Sequence, residues 1–274
     1  MTAVRRRLPK SLRSTARAVV ETAPLVRLAS GPASLRQLYR LERSTTHWGP
    51  GERTVAVRLR PLSGARVWVR PHTEDRYALR DTFLGRFHVP PLPAGDPSVR
   101  RIWDLGSNIG MTVAHFAVLF PEARIRGVEL DAENAALCRR NVATWSDRCE
   151  ILRAAIWTED GTIRYERQVG NELGFRVRPG AEDDRLLTAP SISLNTLAER
   201  DDGDAPIDLV KMDIEGAERD VLRQNTEWAA LVRTILVEIH EPYDVSACCN
   251  DLARLGFKVT VNPRHHAAVV GVRH

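Results

Sequence analysis

Two carboxylates and an imidazole follow two apolar stretches late in the chain. Asp213 comes directly after IDLVKM, while Glu238 and His240 close the stretch ILVEIH. If these stretches are neighbouring strands about 4.8 Å apart, the three side chains converge on one cleft. A histidine with a pKa near ~6.5 can accept a proton at neutral pH, with Glu238 orienting its ring. The carboxylates of Asp213 and Glu238 are also hard oxygen ligands suited to Mg²⁺. The sequence leaves both chemistries open.

A glycine turn precedes these residues. The stretch RIWDLGSNIGMTVA, Arg101–Ala114, predicts a short strand, a turn and then a helix. Its spacing is D-x-G-x-x-x-G (Asp104, Gly106, Gly110), which differs from the G-x-G-x-x-G dinucleotide fingerprint. Free N–H groups at the positive end of a helix suit the anionic end of a cofactor, at the carboxyl edge of a parallel sheet. We expect Gly106 to let the backbone approach a ligand and Gly110 to let the helix pack closely on the strand.

An acidic residue ends the next apolar stretch. Glu129 lies roughly 25 residues beyond the start of the glycine motif, much as an acid follows a dinucleotide turn by ~20 residues. A carboxylate there can accept hydrogen bonds from both hydroxyls of a ribose, and charge strengthens such bonds. The alternative is a helix-capping role, for which Asp131 is the better candidate.

Five segments occur in a characteristic order: DLGSNIG, GVELDAEN, AAIW, LVKMDIEGAE and LVEIHE. Together they resemble the FkbM family of S-adenosylmethionine-dependent O-methyltransferases, with the match running from Trp68 to Thr260. The resemblance implies an α/β fold of the Rossmann-like class I methyltransferase type. Its sheet would have seven mostly parallel strands, helices on both faces and a final antiparallel hairpin.

The resemblance also implies a cofactor, an acceptor and a set of binding residues. The cofactor would be S-adenosylmethionine, with Mg²⁺ possible. The acceptor would be a hydroxyl of a sugar, oligosaccharide or polyketide-like product, methylated by in-line displacement. Catalysis would use His240, Asp213 and Glu238. The candidate cofactor-binding residues are Asp104 (methionine amino group), Gly106, Ser107 and Asn108 (carboxylate), Gly110, Glu129 (ribose), Leu130, Ala155 and Ile156 (adenine), Asp213 and Glu215.

The predicted elements divide the chain into three parts. Residues 1–50 form a basic helical arm, in which Pro24 and Gly31-Pro32 separate two helices. Residues 51–98 form a hairpin and a helix, Asp75–Leu84, that by resemblance closes the cofactor pocket. Residues 99–274 form the catalytic domain. Its predicted strands are Arg101–Leu105, Arg124–Glu129, Glu150–Ala155, Asp208–Met212, Thr234–Glu238, Lys258–Val261 and Ala267–Val272, with Thr162–Glu166 as an extra edge strand. Its predicted helices are Gly110–Leu119, Asp131–Thr144, Ala217–Arg223 and Asp244–Leu255.

Composition indicates which class of partner and which cellular compartment to expect. The net charge of +5 comes mainly from arginine and is concentrated near the start of the chain. Arginine bias alone is weak evidence for nucleic-acid binding, so we expect a small-molecule or oligosaccharide acceptor instead. The four cysteines lack disulfide or zinc spacing, which favours a reduced, cytoplasmic setting. No apolar run reaches the ~20 residues of a membrane span. The helical arm favours a homodimer.

Two other functions deserve comparison. An NAD(P)-dependent oxidoreductase would use a similar sheet, but the G-x-G-x-x-G motif and a Tyr-x-x-x-Lys pair are both absent. An RNA methyltransferase that acts on bases would carry N-P-P-Y or D-P-P-Y after the fourth strand, where this chain has MDIE. We expect acceptor recognition to use the loop Val169–Arg185 and the N-terminal arm.

Overall fold

The computed structural model describes residues 23–43, 53–167, 175–177, 186–201 and 205–273. The basic stretch before residue 23 and nearly all of the predicted acceptor loop Val169–Arg185 lie outside these ranges. The described strands are β1 Val55–Arg58, β2 Arg66–Val69, β3 Arg101–Leu105, β4 Arg124–Glu129, β5 Cys149–Arg153, β6 Ala155–Ile156, β7 Gly161–Arg167, β8 Phe175–Val177, β9 Leu187–Ile192, β10 Ile207–Met212, β11 Val232–Glu238, β12 Lys258–Val261 and β13 Ala268–Val272. The described helices are α1 (residues 23–28), α2 Pro32–Glu42, α3 Asp75–Arg80, α4 Met111–Leu119, α5 Ala132–Asn141, α6 Leu194–Arg200, α7 Glu218–Val221 and α8 Val245–Arg254.

The central sheet of the described chain has seven strands in the order β12-β13-β11-β10-β3-β4-β5. Neighbours from β11 to β5 run parallel, and β13 lies antiparallel between β11 and β12. Strands β3 and β10 are buried along their whole length, and most of their residues are apolar, as expected for strands covered on both faces. The predicted Rossmann-like α/β fold is confirmed, including the final antiparallel hairpin.

The direction in which successive strands are added to this sheet reverses between β3 and β10, although the two strands themselves are parallel. From β3 the chain moves outward to β4 and β5, then returns to β10 on the other side of β3. Ligands of open α/β sheets bind at such a switch point, beyond the carboxyl ends of the strands. Met212 is aligned with Leu105 on one side and Val237 on the other. The residues that follow these three positions, Gly106, Asp213 and Glu238, therefore meet at one place.

The segments before the central sheet pack onto one of its faces. Strands β1 and β2 form the predicted antiparallel hairpin. Apolar residues of α1, α2 and the hairpin share one buried cluster with those of α4 and α5, while α6, α7 and α8 contribute to a second cluster. Pro24 lies in the described part of α1, and Gly31-Pro32 separates α1 from α2, as predicted. Whether Pro24 also ends an earlier helix depends on residues before 23, which lie outside the described ranges, so its helix-breaking role stays a prediction.

The region after β5 differs from the prediction. The strand predicted as Glu150–Ala155 is two strands: β5 belongs to the central sheet, and β6 pairs with β9 in a second sheet. The second sheet has the order β6-β9-β7-β8. The predicted edge strand Thr162–Glu166 lies within β7, which pairs with β8 and β9 rather than with the central sheet. The chain leaves the central sheet at Ala154, whose N–H donates to the carbonyl of Glu129.

Candidate active site

A cavity of about 240 Å³ opens at the switch point. It lies at the carboxyl ends of β3, β4, β10 and β11, and residues of α3 and the turn after it also line it. The predicted site residues on its wall are Gly106, Ser107, Asn108, Glu129, Leu130, Ala155, Ile156, Asp213, Glu215 and Glu238. Three predicted site residues do not line this cavity: Asp104, Gly110 and His240.

The glycine turn is held tightly by its own hydrogen bonds. A Cβ on Gly106, whose φ is +81°, would lie 1.7 Å from the carbonyl oxygen of Asp213, so only glycine fits. The N–H groups of residues 106–110 all donate within the protein, to Val128, Glu129, Asn108 and Ser107. The N–H groups of the turn itself are therefore already used, and the predicted free N–H groups can only be those of the first turn of α4. Met111 begins α4 and lines the cavity, so the helix N-terminus itself still faces the site.

Gly110 supports the packing of two helices. A Cβ there would lie 2.6 Å from Sγ of Cys138, which belongs to α5. The close approach is therefore between the start of α4 and α5, and the predicted helix–strand packing role is wrong. Its predicted contact with the cofactor stays a prediction.

Glu129 ends β4 with a buried carboxylate. Its two oxygens accept hydrogen bonds from the N–H groups of Asn108 and Asp131, each at 2.8 Å. The side chain is 5% exposed, and burial raises its pKa to about 7 despite these bonds. A carboxylate has about four acceptor positions, so two remain for ligand hydroxyls. Asp131 caps α5 by accepting from the N–H groups of Glu133 and Asn134, as predicted.

A buried ion cluster lies beneath the cavity. The ammonium group of Lys211 is 3.0 Å from Oδ2 of Asp213 and 3.5 Å from Oδ1 of Asp104. Burial alone would lower the pKa of Lys211, but the two carboxylates outweigh it and raise that pKa. Asp104 is fully buried and also accepts from Thr112, and burial raises its pKa. Its predicted contact with the methionine amino group stays a prediction.

His240 is surrounded by carboxylates. Its Nδ1 lies 2.8 Å from Oε1 of Glu218, and its Nε2 lies 3.7 Å from carboxylate oxygens of both Asp213 and Glu215. Burial opposes protonation, but the hydrogen bond to Glu218 and the neighbouring charges raise the pKa of His240 to about 10. It therefore carries a proton at neutral pH.

The position of His240 corrects two predictions. The acid that orients the ring is Glu218, not Glu238, because the loop after β10 turns Glu218 inward. There Glu218 also accepts from the N–H groups of Ile214 and Gly216. A ring that is already protonated is a poor general base, which argues against the predicted role of His240 as proton acceptor.

Two of the acids around the cavity, Glu215 and Glu238, have pKa values near neutral pH. The negative charge of Asp213, together with burial, raises the pKa of Glu238 to about 8. Burial and the same charge raise the pKa of Glu215 to about 7. Burial would raise the pKa of Asp213 itself, but Lys211 and His240 outweigh burial and lower it. Asp213, Glu238 and His240 each offer a ligand atom within 4.8 Å of the others. The Mg²⁺ site stays a prediction.

Phe87, His88 and His265 line the cavity although their segments carried no predicted binding role; Phe87 and His88 come after α3, and His265 belongs to the loop between β12 and β13. Asp81 and Thr82, which also line the cavity, lie in the segment predicted to close the pocket. The helix predicted over Asp75–Leu84 thus does contribute to the wall. The His265-His266 pair was the visible signal in the sequence, but only the hairpin geometry shows that His265 reaches the cavity.

Comparisons with known proteins agree with this architecture. The Methyltransferase FkbM domain matches residues 104–259. Hexuronic acid methyltransferase AglP of Haloferax volcanii is 26% identical over 175 residues, which cover 63% of this chain and 70% of AglP. The 2-O-methyltransferase NoeI of Sinorhizobium fredii is 30% identical over 152 residues, which cover 50% of this chain and 62% of NoeI.

A solved structure of low sequence identity is also similar. Precorrin-6y C5,15-methyltransferase from Geobacter metallireducens has a TM-score of 0.41 and 11% identity, over 75% of this chain and 89% of that one. In the described part of the chain, no helix is long and apolar enough to cross a membrane. The sheet order, the cavity at its switch point and the domain match lead to one conclusion: the chain belongs to the FkbM methyltransferase family and is a methyltransferase.

Proposed function

We propose that this protein is an S-adenosylmethionine-dependent O-methyltransferase whose acceptor is a hydroxyl of a sugar, free or within a glycoside or oligosaccharide. The observation that carries the cofactor assignment is the geometry of Glu129. Its carboxylate is fixed by two backbone N–H groups on the cavity wall and retains acceptor positions for a ribose.

The rest of the wall fits the same cofactor. Ala155 and Ile156 are buried apolar residues that suit an adenine ring. Gly106 has no side chain, so the carbonyl group of Asp213 can pack directly against the glycine turn on the cavity wall. The ionised carboxylate of Asp213, together with Glu215 and Glu238 when these are ionised, would supply negative charge to a bound sulfonium. When bound, S-adenosylmethionine supplies a methyl group on a positively charged sulfur.

The residues of the chain would prepare the acceptor. In-line attack by the hydroxyl oxygen forms the O–CH₃ bond while the S–CH₃ bond breaks, and that electron pair stays on sulfur. The hydroxyl proton must leave. Glu238 suits this step because its pKa, about 8, lies near working pH, where proton acceptors are most effective. His240, already protonated, instead keeps Asp213 ionised.

We favour this route over Mg²⁺ activation. Oδ2 of Asp213 is already paired with Lys211, and His240 would have to lose its proton to bind a metal ion. The positive charges of Lys211 and His240 therefore already balance the negative charge of Asp213.

The sugar acceptor is supported by two kinds of observation. Both curated relatives are named as methyltransferases, one for hexuronic acid and one for 2-O-methylation. The cavity wall also carries carboxylates and two imidazoles, which can pair with hydroxyl groups. A homodimer formed through the N-terminal helices stays a prediction, which light scattering would test.

Methyl transfer tests the proposal directly. The purified protein is incubated with radiolabelled S-adenosylmethionine and one of three acceptors: methyl glucuronide, methyl glucoside or single-stranded RNA. We expect the label to appear in a glycoside as an alkali-stable methyl ether. At low cofactor concentration, the Glu129→Gln variant should transfer no label to the glycoside. Label in RNA alone, or in none of the three, would refute the sugar-hydroxyl assignment.

A further inference from the structure

The cavity has a second wall, formed by residues 81–88 and by the loop that carries His265. Through His265, this wall comes within 3.9 Å of the carboxylate of Glu238. The inference developed from it rests on the proposed O-methyltransferase function and concerns the acceptor.

Two contacts fix this wall in place. Nδ2 of Asn262 donates to the main-chain carbonyl of Phe87 at 2.9 Å, and Asn262 is only 5% exposed. The rings of Phe87 and His265 are in contact, with centroids 4.7 Å apart and planes at 57°. Because β13 pairs with β11, the same loop is anchored next to the strand that ends in Glu238.

The separation between His265 and Glu238 fits one oxygen atom. Nε2 of His265 lies 3.9 Å from Oε1 of Glu238, which is too long for a direct hydrogen bond. A hydroxyl oxygen about 2.8 Å from each atom would bridge them, since a hydroxyl donates one hydrogen bond and accepts others. Nδ1 of His265 is buried and has no hydrogen-bond partner among the described residues, so no protein contact of Nδ1 fixes the ring tautomer.

We propose that His265 and Glu238 together bind the reacting hydroxyl of the acceptor, and that Phe87 and Asp81 bind the adjoining part of the sugar. Glu238 then takes the proton of the hydroxyl, while His265 donates a hydrogen bond to its oxygen and holds it beside Glu238. Phe87 offers a ring face for the apolar side of a sugar, and Asp81 offers a carboxylate for a neighbouring hydroxyl. Acceptor recognition is thereby assigned to described residues rather than to the loop Val169–Arg185.

The test uses the full-length protein and His265→Gln, with His266→Gln as the matched control. His266 is exposed and stacks on His265, with centroids 5.5 Å apart, but it does not line the cavity. Binding of methyl glucuronide and methyl glucoside is measured by saturation-transfer NMR with S-adenosylhomocysteine present. Turnover is then measured with the glycoside that binds. A second variant, His265→Phe, keeps a ring against Phe87 if the glutamine variant is unstable.

The expected result is selective. His265→Gln and His265→Phe should raise the KM for the glycoside at least tenfold and lower kcat, while calorimetry shows unchanged affinity for S-adenosylhomocysteine. His266→Gln should match the wild type. If wild-type protein binds and methylates a glycoside but both His265 variants do so equally well, the inference is wrong and the proposed function stands. If the wild type binds S-adenosylhomocysteine but neither glycoside, the acceptor assignment and this inference both fall.

Discussion

The charge of His240 provides a sharp test of the site's electrostatics. Replacing Glu218 with glutamine keeps the size of the side chain but removes the carboxylate 2.8 Å from Nδ1. A hydrogen bond to a charged group contributes about 1.5–3 kcal/mol, and one pKa unit corresponds to about 1.4 kcal/mol. Glu218→Gln should therefore lower the pKa of His240 by about 1–2 units from its value of about 10.

The assay is an NMR titration of the His240 ring between pH 5 and pH 11, assigned with His240→Gln. Glu122→Gln, which changes an exposed acid paired with Arg100, serves as the control and should leave the titration unchanged. A wild-type pKa near 6.5, or an unchanged pKa in Glu218→Gln, would refute the reasoning and restore His240 as a candidate proton acceptor.

The same pKa determines a pH dependence of stability. The folded-state pKa of His240 is raised above the unfolded value of ~6.5, so protonation of His240 stabilises the folded protein. The whole of this contribution to the free energy of unfolding is present below about pH 6.5. The contribution decreases as pH rises from about 6.5 to about 10. Urea unfolding should therefore show that the stability difference between wild type and His240→Gln shrinks across this window.

Three other changes test separate parts of the account. Glu129→Gln should weaken S-adenosylhomocysteine binding at least tenfold by calorimetry, since charge-assisted bonds to the ribose are lost; unchanged affinity would contradict the ribose role. Gly106→Ala should lower the free energy of unfolding by more than the ~1–2 kcal/mol of left-handed strain, because its Cβ meets the Asp213 carbonyl. Gly95→Ala, with a similar φ and open space around it, is the control, and equal losses would contradict this packing. EDTA should leave turnover unchanged, whereas loss of activity that Mg²⁺ restores would favour the metal route.

The sequence predicted the central sheet well because its strands are buried on both faces. Runs such as IDLVKM and TILVE are mostly apolar, and glycines mark the turn between β3 and α4. Adjacency of β10 to β3 and of β11 to β10 then follows from the doubly wound topology, which brings Asp213 and Glu238 together. The positions of the central strands can therefore be predicted from apolar runs and glycine turns that are each only a few residues long.

Features that depend on contacts distant in sequence could not be predicted. Glu218 lies in the first turn of the predicted helix Ala217–Arg223, and only the folded loop shows it reaching His240, 22 residues away. His265 enters the cavity through the β12–β13 hairpin and contacts the ring of Phe87. Asn262 of the same hairpin bonds to Phe87 across 175 residues. The second sheet was missed because β6 has two residues and β9 contains a proline, which give little periodic signal.

Calorimetric titration of the wild-type protein with S-adenosylhomocysteine, with NADPH titrated in parallel, tests the central claim most directly. S-adenosylhomocysteine retains the adenine, the ribose and the amino-acid end that the cavity is proposed to hold. We predict micromolar binding at one molecule per chain, with no binding of NADPH. Absence of binding by S-adenosylhomocysteine, with or without Mg²⁺, would contradict the assignment of this cavity as the methyl-donor site.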